Sequence, residues 1–386
     1  LDEPFGLALG PEGLSVLLGH YPLRNLGSLV VLPHEFLASK EVGATVPQSD
    51  FFADGAFTAP VADVELGEEE PIFMLRHPSG RLLVAAFEND LFALETDWTD
   101  PGKLLVIDPA NPGAVGKRTL DSIGGMTCVG AWSIVPLDDA MNHVAVSCDG
   151  DDGAAVLDVS GIGEGSVEDA AAAVDGCIAD VPFNDKRVRA IAPDGSGGFL
   201  LVEHSTVADG SAGRLWRFAG LGGAAGDCAL LGMAELDPSI FEVREIVRWP
   251  VTAGTRWLMT SGRIDAGRGV HVLQDGATGP EVCAKLTELD ASWQSDMGVA
   301  LEPYAIALAK DGTGVAVSAG EGDPRDDLPG YGRVLWAELD PSVDPCTATP
   351  VVSVTDLTAG APAVNIDDPA TWRRGPNVLF VQQYGP

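Results

Sequence analysis

The sequence predicts an all-β fold, a β-propeller, and three observations support it. Short apolar segments joined by Gly-containing turns recur from end to end of the 386-residue chain. Helical signals are few. Glycines that open the third strand of successive units recur in steps of 51, 60, 56 and 63 residues, at Gly102, Gly153, Gly213, Gly269 and Gly332. Four short strands in each unit of about 50 to 60 residues are typical of a propeller blade.

Residues 303–339 show the repeating unit most clearly. An apolar strand begins at Tyr304, a Gly-rich turn covers residues 310–314, and a second strand begins at Val315. A polar loop follows, and Gly332 opens a third strand. The Gly-rich link of five residues between two apolar runs predicts a hairpin.

The other copies of this unit determine the predicted number of blades. Earlier copies begin near residues 4, 72, 131, 188 and 243. A seventh hairpin is predicted at 371–383, but the chain stops before a third strand. We therefore predict seven blades, with six blades plus a C-terminal closing strand as the alternative. First and last units should lie side by side, because an open ring would expose strand edges.

Domain organisation follows from the same repeat. We predict one propeller domain over residues 1–386, with an extended loop or blade embellishment at residues 36–70. Residues 167–174 predict a short helix after Ser166 as its N-cap. No apolar run approaches the roughly 20 residues of a membrane-spanning helix.

The charge of the chain excludes one class of partner. The formal net charge is −34 and the sequence pI is about 4.2. Nucleic-acid binding needs basic patches, so nucleic-acid partners are excluded. The acidity favours cations, basic partners or a high-salt habitat, and it also fits a surface that is merely solubilising.

Cysteine content and the start of the chain predict export. The chain begins at Leu1 without an initiator methionine, and its six cysteines fit an oxidising compartment. We expect a periplasmic or extracellular protein without a transmembrane segment. A lipid anchor upstream of residue 1 stays open.

One disulfide can be predicted from symmetry. Cys128 and Cys148 flank the turn of the third unit symmetrically, which places them opposite each other in a hairpin. Equivalent positions on neighbouring blades diverge at the rim, so bonds between them would need long loops to fold back. Absence of any Cys-x-x-Cys spacing leaves zinc, iron–sulfur and haem attachment unsupported. The remaining cysteines lie near the start of fourth strands, with their pairing open: Cys177, Cys228, Cys283 and Cys346.

Polar loops after the second strands supply the candidate binding residues. Because the units are equivalent, these loops should emerge on one face, around the mouth of the central channel. We predict that they bind a ligand or partner through carboxylates and two histidines: His20, Glu88, Asp90, Asp149, Asp151, Glu203, His204, Asp265, Glu321 and Asp323.

Such a ring also defines the one cofactor class that the sequence suggests. Clustered oxygens suit calcium, and added imidazoles suit transition metals, so a calcium or transition-metal ion is the expected cofactor if the ring converges. The alternative is that the loops are only solvated. No Gly-x-Ser-x-Gly elbow or phosphate loop is present in the sequence, so no catalytic residue is assigned.

A Gly-containing turn, an apolar strand and then Gly-x-Leu-x-Val, as in Gly102-Lys-Leu-Leu-Val, resemble the blades of the YVTN, lactonase-like and WD40-like propeller group. The resemblance spans nearly the whole chain and implies architecture. No Trp-Asp blade ending recurs, and the catalytic signature of gluconolactonase-type enzymes is unmatched, so their activity is not implied.

Three functions are compatible with these observations. The first, which we favour, is an exported non-enzymatic propeller that binds a protein or cell-surface partner through its loop face or an outer edge. The second is a metal-dependent, lactonase-like hydrolase that activates water on the carboxylate and histidine ring. The third is a cation-binding or redox-accessory propeller.

Overall fold

The structure is a computed structural model. It describes residues 4–18, 27–38, 52–53, 56–57, 62–66, 70–87, 101–150, 153–181, 187–204, 213–240, 243–252, 254–262, 267–276, 279–286, 302–309, 311–320 and 333–356. Contacts within the chain define two compact units, Leu1–Pro182 and Phe183–Tyr384. Each unit holds three four-stranded antiparallel sheets, numbered here as blades 1 to 6 in chain order.

The first unit contains blades 1 to 3 and both described helices. Blade 1 consists of β1 (Pro4–Gly10), β2 (Gly13–Leu18), β3 (Ser28–Leu32) and β6 (Ala62–Glu65). Between β3 and β6 lie α1 (His34–Ala38) and a small hairpin of β4 (Phe52–Ala53) and β5 (Ala56–Phe57). Blade 2 consists of β7 (Glu70–Arg76), β8 (Leu82–Phe87), β9 (Lys103–Ile107) and β10 (Val115–Thr119). Blade 3 consists of β11 (Ala131–Pro136), β12 (His143–Cys148), β13 (Gly153–Asp158) and β14 (Asp175–Ala179), with α2 (Val167–Ala172) before β14.

The second unit contains blades 4 to 6. Blade 4 consists of β15 (Arg187–Pro193), β16 (Phe199–His204), β17 (Arg214–Phe218) and β18 (Leu230–Glu235). Blade 5 consists of β19 (Val243–Val251), β20 (Gly254–Ser261), β21 (Gly269–Asp275) and β22 (Pro280–Lys285). Blade 6 consists of β23 (Glu302–Leu308), β24 (Gly314–Gly320), β25 (Arg333–Leu339) and β26 (Val351–Asp356).

The cores lie between successive blades of each unit. Second strands read as continuous apolar runs, and Leu82–Phe87 is buried along its whole length, because neighbouring sheets cover both of its faces. Leu200 and Val202 of blade 4 pack with Trp257 and Met259 of blade 5. This burial on both faces explains why strand positions could be read from apolar runs and turn glycines alone.

The observed blade number corrects the seven-blade prediction. Described strands form six four-stranded sheets, so the six-blade alternative is supported and the seven-blade prediction is not. The predicted seventh hairpin at 371–383 lies outside the described residues. The predicted embellishment at 36–70 contains β6, the fourth strand of blade 1, beside the β4–β5 hairpin. A single domain over residues 1–386 stays a prediction.

Helix α2 forms where the sequence predicts it. Ser166 is the N-cap, and its Oγ accepts a hydrogen bond from the Asp169 backbone N–H at 3.1 Å. Helix α2 packs against the outer strand β10, where Arg118 donates from Nε to the Val174 carbonyl at 3.0 Å. In the described part of the chain, neither helix has the length or apolar character needed to cross a membrane.

The disulfide predictions are partly confirmed. All six cysteines are disulfide-bonded. Cys128 and Cys148 are joined, as predicted, although the register partner of Cys148 is Ala131. The hairpin is centred near residue 140 and not at 138, so Cys128 lies three residues before β11. Cys283 in β22 bonds Cys346, which precedes β26. Bonds between neighbouring blades were expected to be difficult, but the turn at 340–350 folds back far enough to bring Cys346 to blade 5.

Candidate functional site at the bulge end of the blades

Every blade has an irregular register near the start of its first strand. The shift recurs six times, between Pro4 and Gly6, Pro71 and Phe73, Ala131 and Ile134, Val188 and Ala190, Val243 and Glu245, and Pro303 and Ile306. We call this side of each sheet, where the first strand begins and the second strand ends, the bulge end. The predicted binding loops leave the sheets here, and bulges are common beside functional sites.

Side-chain hydroxyls satisfy the backbone groups that three bulges release. Ser147 Oγ accepts from the Ser133 N–H at 3.0 Å in blade 3. In blade 6, Ser318 Oγ accepts from the Ala305 N–H at 3.0 Å. Thr260 Oγ1 does the same for the Glu245 N–H at 3.1 Å in blade 5. These hydroxyls are therefore structural, because a buried N–H without a partner would cost about 1 to 3 kcal/mol.

In blade 4 the corresponding position is Val202, which has no hydroxyl, and Glu203 is the next residue along β16. Glu203 pairs in register with Val188 beside the bulge, and only 1% of its surface is exposed. Arg214 on the adjacent strand places Nη1 3.7 Å from Glu203 Oε2, which compensates the buried charge within the sheet. Glu203 is thus a strand residue and not a loop residue as predicted.

Of the other nine predicted binding residues, the structure describes two, Asp149 and His204. Asp149 follows β12 and is also 1% exposed, while its backbone N–H donates to the Gly130 carbonyl at 2.8 Å. His204 ends β16 and pairs in register with Arg187. Asp149 belongs to the first unit, whereas Glu203 and His204 belong to the second. The remaining predicted residues lie outside the described part of the chain: His20, Glu88, Asp90, Asp151, Asp265, Glu321 and Asp323.

Glu245 is a bulge-end residue to which the sequence reading gave no role. Its Oε2 accepts a hydrogen bond at 2.8 Å from the Ile306 N–H, in the bulge of the next blade. Burial raises the pKa of Glu245 to about 7, while the bond from Ile306 opposes this shift. A glutamate in the Val243–Val251 strand, between Arg244 and Ile246, was the available signal.

A serine and a histidine also meet at the bulge end of blade 5. Ser261 Oγ lies 2.8 Å from His271 Nε2, and both residues are buried. Nε2 is also 2.8 Å from the Gly267 carbonyl oxygen, to which Ser261 Oγ donates as well. An imidazole nitrogen this close to a carbonyl oxygen must carry the proton, so it cannot take one from Ser261. The pair braces the backbone and does not form an activated nucleophile.

A metal site in a protein is formed by several grouped histidine, cysteine, aspartate or glutamate side chains. In the ranges that the structure describes, no three histidine, cysteine, aspartate or glutamate side chains are grouped as metal ligands would be. The calcium or transition-metal ion remains an expectation that rests on loops outside those ranges.

Strand β18 forms a second candidate site, on the outer edge of blade 4. Leu230, Leu231 and Met233 are 47%, 48% and 36% exposed. The sheet order ends at β18, which pairs only with β17 among the described strands. Contiguous exposed apolar side chains on a sheet edge indicate an interaction surface more often than isolated ones do.

Comparisons with known proteins support the fold only. The chain matches no protein-family model and no curated protein sequence. Among solved structures, it is similar to a hypothetical selenium-binding protein from Sulfolobus tokodaii, with TM-score 0.55, 12% identity, and 92% and 81% of the two chains covered. It is also similar to hydrazine synthase of Kuenenia stuttgartiensis, with TM-score 0.52, 14% identity, and 88% and 79% covered. At such identities the similarity identifies the architecture, and we conclude that the chain has a β-propeller fold with six described blades.

Proposed function

We propose that this protein is a non-enzymatic binding module that recognises a protein partner through the outer edge of blade 4. The observation that carries the proposal is the exposure of Leu230, Leu231 and Met233 on the terminal strand of the sheet. Covering such side chains removes apolar surface from water, which is the main driving force of protein association.

Polar groups at the bulge end support the same assignment. Ser147, Thr260 and Ser318 are engaged with bulge N–H groups, and Glu203 faces Arg214. These described side chains serve the scaffold itself. The hydrolase and the cation-binding or redox-accessory alternatives depend on loops outside the described residues and stay predictions.

The cysteines support an exported location. All six are disulfide-bonded, a state that persists in oxidising compartments such as the periplasm or the extracellular space. We therefore place the partner among exported or cell-surface proteins.

The test compares the native protein with a double variant, Leu231→Lys with Met233→Lys. Immobilised proteins are incubated with the exported fraction of the source cells, and retained proteins are identified by mass spectrometry. We expect at least one protein that the native chain retains and the double variant loses, because two buried lysines would oppose association. Val352→Lys is the matched control, since Val352 is 66% exposed on another outer strand, β26. Identical sets of retained proteins on all three forms would contradict the proposal.

A further inference from the structure

We infer that β18 binds an extended, basic segment of its partner as a fifth strand of blade 4. This inference rests on the proposed function and specifies the chemistry of the partner. Backbone pairing would supply the affinity, and charge at the two ends of the strand would select the segment.

Backbone geometry makes β18 able to accept another strand. The Leu236 N–H donates to the Gly213 carbonyl at 2.8 Å, which continues the ladder between β17 and β18. Alternate residues of an antiparallel strand direct their N–H and C=O groups to opposite sides. Ala234 and Gly232 therefore direct their backbone groups to β17, while Glu235 and Met233 direct theirs away from it. A partner strand would pair with these outward groups.

Most other outer strands carry charges or a covering helix, whereas β18 and β26 have no charged residue before their last position. Strand β18 exposes three large apolar side chains and β26 one, although a register shift at Leu231 interrupts β18. Strand β10 contains Lys117 and Arg118 and is covered by α2. Charged residues occupy β14 and β22, and β6 contains Asp63 and Glu65. Strand β18 has no charged residue before Glu235, its last position. Long, uncharged and apolar edges are the ones that recruit another strand.

Charges beside β18 select a basic occupant. Exposed carboxylates flank the strand at both ends, Asp227 before it and Glu235 and Asp237 after it. The cations on β17 are already paired, Arg217 with Asp194 and Asp275. Arg214 faces Glu203. A segment with apolar residues in its centre and lysine or arginine at its ends complements this pattern.

The same charges argue against a second copy of the chain as the occupant. Edge-to-edge pairing of two copies would bring together the acidic ends of two strands in proteins of formal net charge −34. Like charges placed opposite each other in a sheet are destabilising.

The experiment uses synthetic peptides with the intact protein. The probe is a peptide of about eight alternating valine and threonine residues with lysines at both ends. One control peptide carries glutamates at the ends, and another has alternate backbone amides N-methylated. Affinity is measured by fluorescence anisotropy at low and high salt, with the double variant and Val352→Lys in parallel. Hydrogen exchange of residues 229–236 reports where the peptide pairs.

We expect the lysine peptide to bind the native protein and Val352→Lys equally. Glutamate ends, backbone methylation and the double variant should each weaken binding by at least about tenfold, because each removes charge complementarity or strand pairing. Amide exchange at residues 229–236 should slow on binding, and added salt should weaken the complex.

Three outcomes would overturn the inference. Binding that tolerates N-methylation and leaves exchange at 229–236 unchanged would show that the peptide does not pair with the edge. Equal affinity for lysine and glutamate ends would remove the charge argument. A concentration-dependent dimer with protected 229–236 amides would identify a second copy as the occupant. If a natural partner is captured in a β18-dependent manner but none of these peptide effects is seen, the proposed function stands and this inference fails.

Discussion

Glu245 links two blades through a single buried carboxylate. Its bond to the Ile306 N–H places an acidic group where burial favours the protonated form. Sequence reading could place this residue on a strand but not beside Ile306, because the contact depends on bulges in two neighbouring sheets. Serine and threonine at the ends of second strands were similarly recognisable as polar positions, but not as hydrogen-bond acceptors for the bulges.

The raised pKa of Glu245 makes stability depend on pH near neutrality. The ordinary pKa of a glutamate is about 4.5 and the folded value is about 7, so the folded chain holds a proton that the unfolded chain releases between these values. The stabilisation that protonated Glu245 contributes to the folded state is present at low pH and is lost as pH rises through 7. We expect Glu245→Gln to remove this loss, which is at most about 3 kcal/mol.

Thermal unfolding from about pH 5.5 to about pH 8 checks this expectation. The Gln variant should have the higher Tm at the alkaline end, where the native carboxylate is ionised. Glu281→Gln is the control, since Glu281 is exposed on β22. Parallel pH profiles for the native protein and Glu245→Gln would contradict the assignment.

Gly267 is required by close packing at the brace of blade 5. A Cβ at this position would overlap the Ser239 carbonyl oxygen, and the Gly267 carbonyl accepts from His271 and Ser261. We expect Gly267→Ala to lower the free energy of unfolding by about 1 to 3 kcal/mol, the usual range for overpacking. Chemical denaturation measures the change, and Gly113→Ala is the control because its Cβ would meet open space. Equal stability of the two variants would mean that the backbone at Gly267 adjusts without strain.

At the scale of elements, strands were predicted well and cross-blade connections poorly. Turn glycines and apolar runs predicted the hairpins correctly because both are local signals. Ser166 likewise predicted where α2 begins. Cys346 could not be assigned to Cys283 because its position depends on how the turn at 340–350 folds back. His271 was recognised as a strand residue. Its contact with Ser261 joins diagonal positions on two adjacent strands, and no sequence motif indicates such a contact.

The two described disulfides should differ in their contribution to stability. Cys128 and Cys148 are 20 residues apart in sequence, and Cys283 and Cys346 are 63 apart. In the chain-entropy description, a longer closed loop restricts the unfolded chain more, by about 1 kcal/mol here. We expect Cys283→Ser with Cys346→Ser to lower the free energy of unfolding more than Cys128→Ser with Cys148→Ser does.

Denaturant unfolding of the two double-serine variants, measured side by side, checks this order. Each variant retains the other disulfides, so the native protein and both variants can be compared under the same non-reducing conditions. A larger loss for the Cys128 and Cys148 pair would show that native packing, and not loop length, determines the difference.

At the scale of the whole molecule, the most pronounced feature of the composition is its excess of negative charge. The chain has 57 acidic and 23 basic residues. Several aspartates have structural roles, since Asp311 and Asp340 accept hydrogen bonds from the residues two positions later and these bonds lower the pKa of both carboxyls. Turn aspartates of this kind account for part of the acidic composition, so a bound cation is not needed to explain them. Excess negative charge still repels itself in the folded state.

Salt should therefore stabilise the protein. Raising NaCl from about 0.02 M to about 1 M shortens the screening length from tens of ångströms to about 3 Å. Because carboxylates outnumber cations, we expect relief of repulsion to exceed the weakening of ion pairs, and Tm to rise. KCl at equal ionic strength should act equally if screening is the cause. A Tm that falls with either salt would show that ion pairs dominate.

The bulge contacts also bear on how such a chain could be assembled by duplication. Blades 3 and 6 each provide the hydroxyl for their own bulge, so each brings its internal contact with it when copied. Blade 5 also provides its own hydroxyl, Thr260, but its Glu245 reaches Ile306 and its Cys283 is bonded to Cys346 in the segment before β26. Exchange of blade 5 alone would separate both pairs, and keeping blades 5 and 6 together would preserve them.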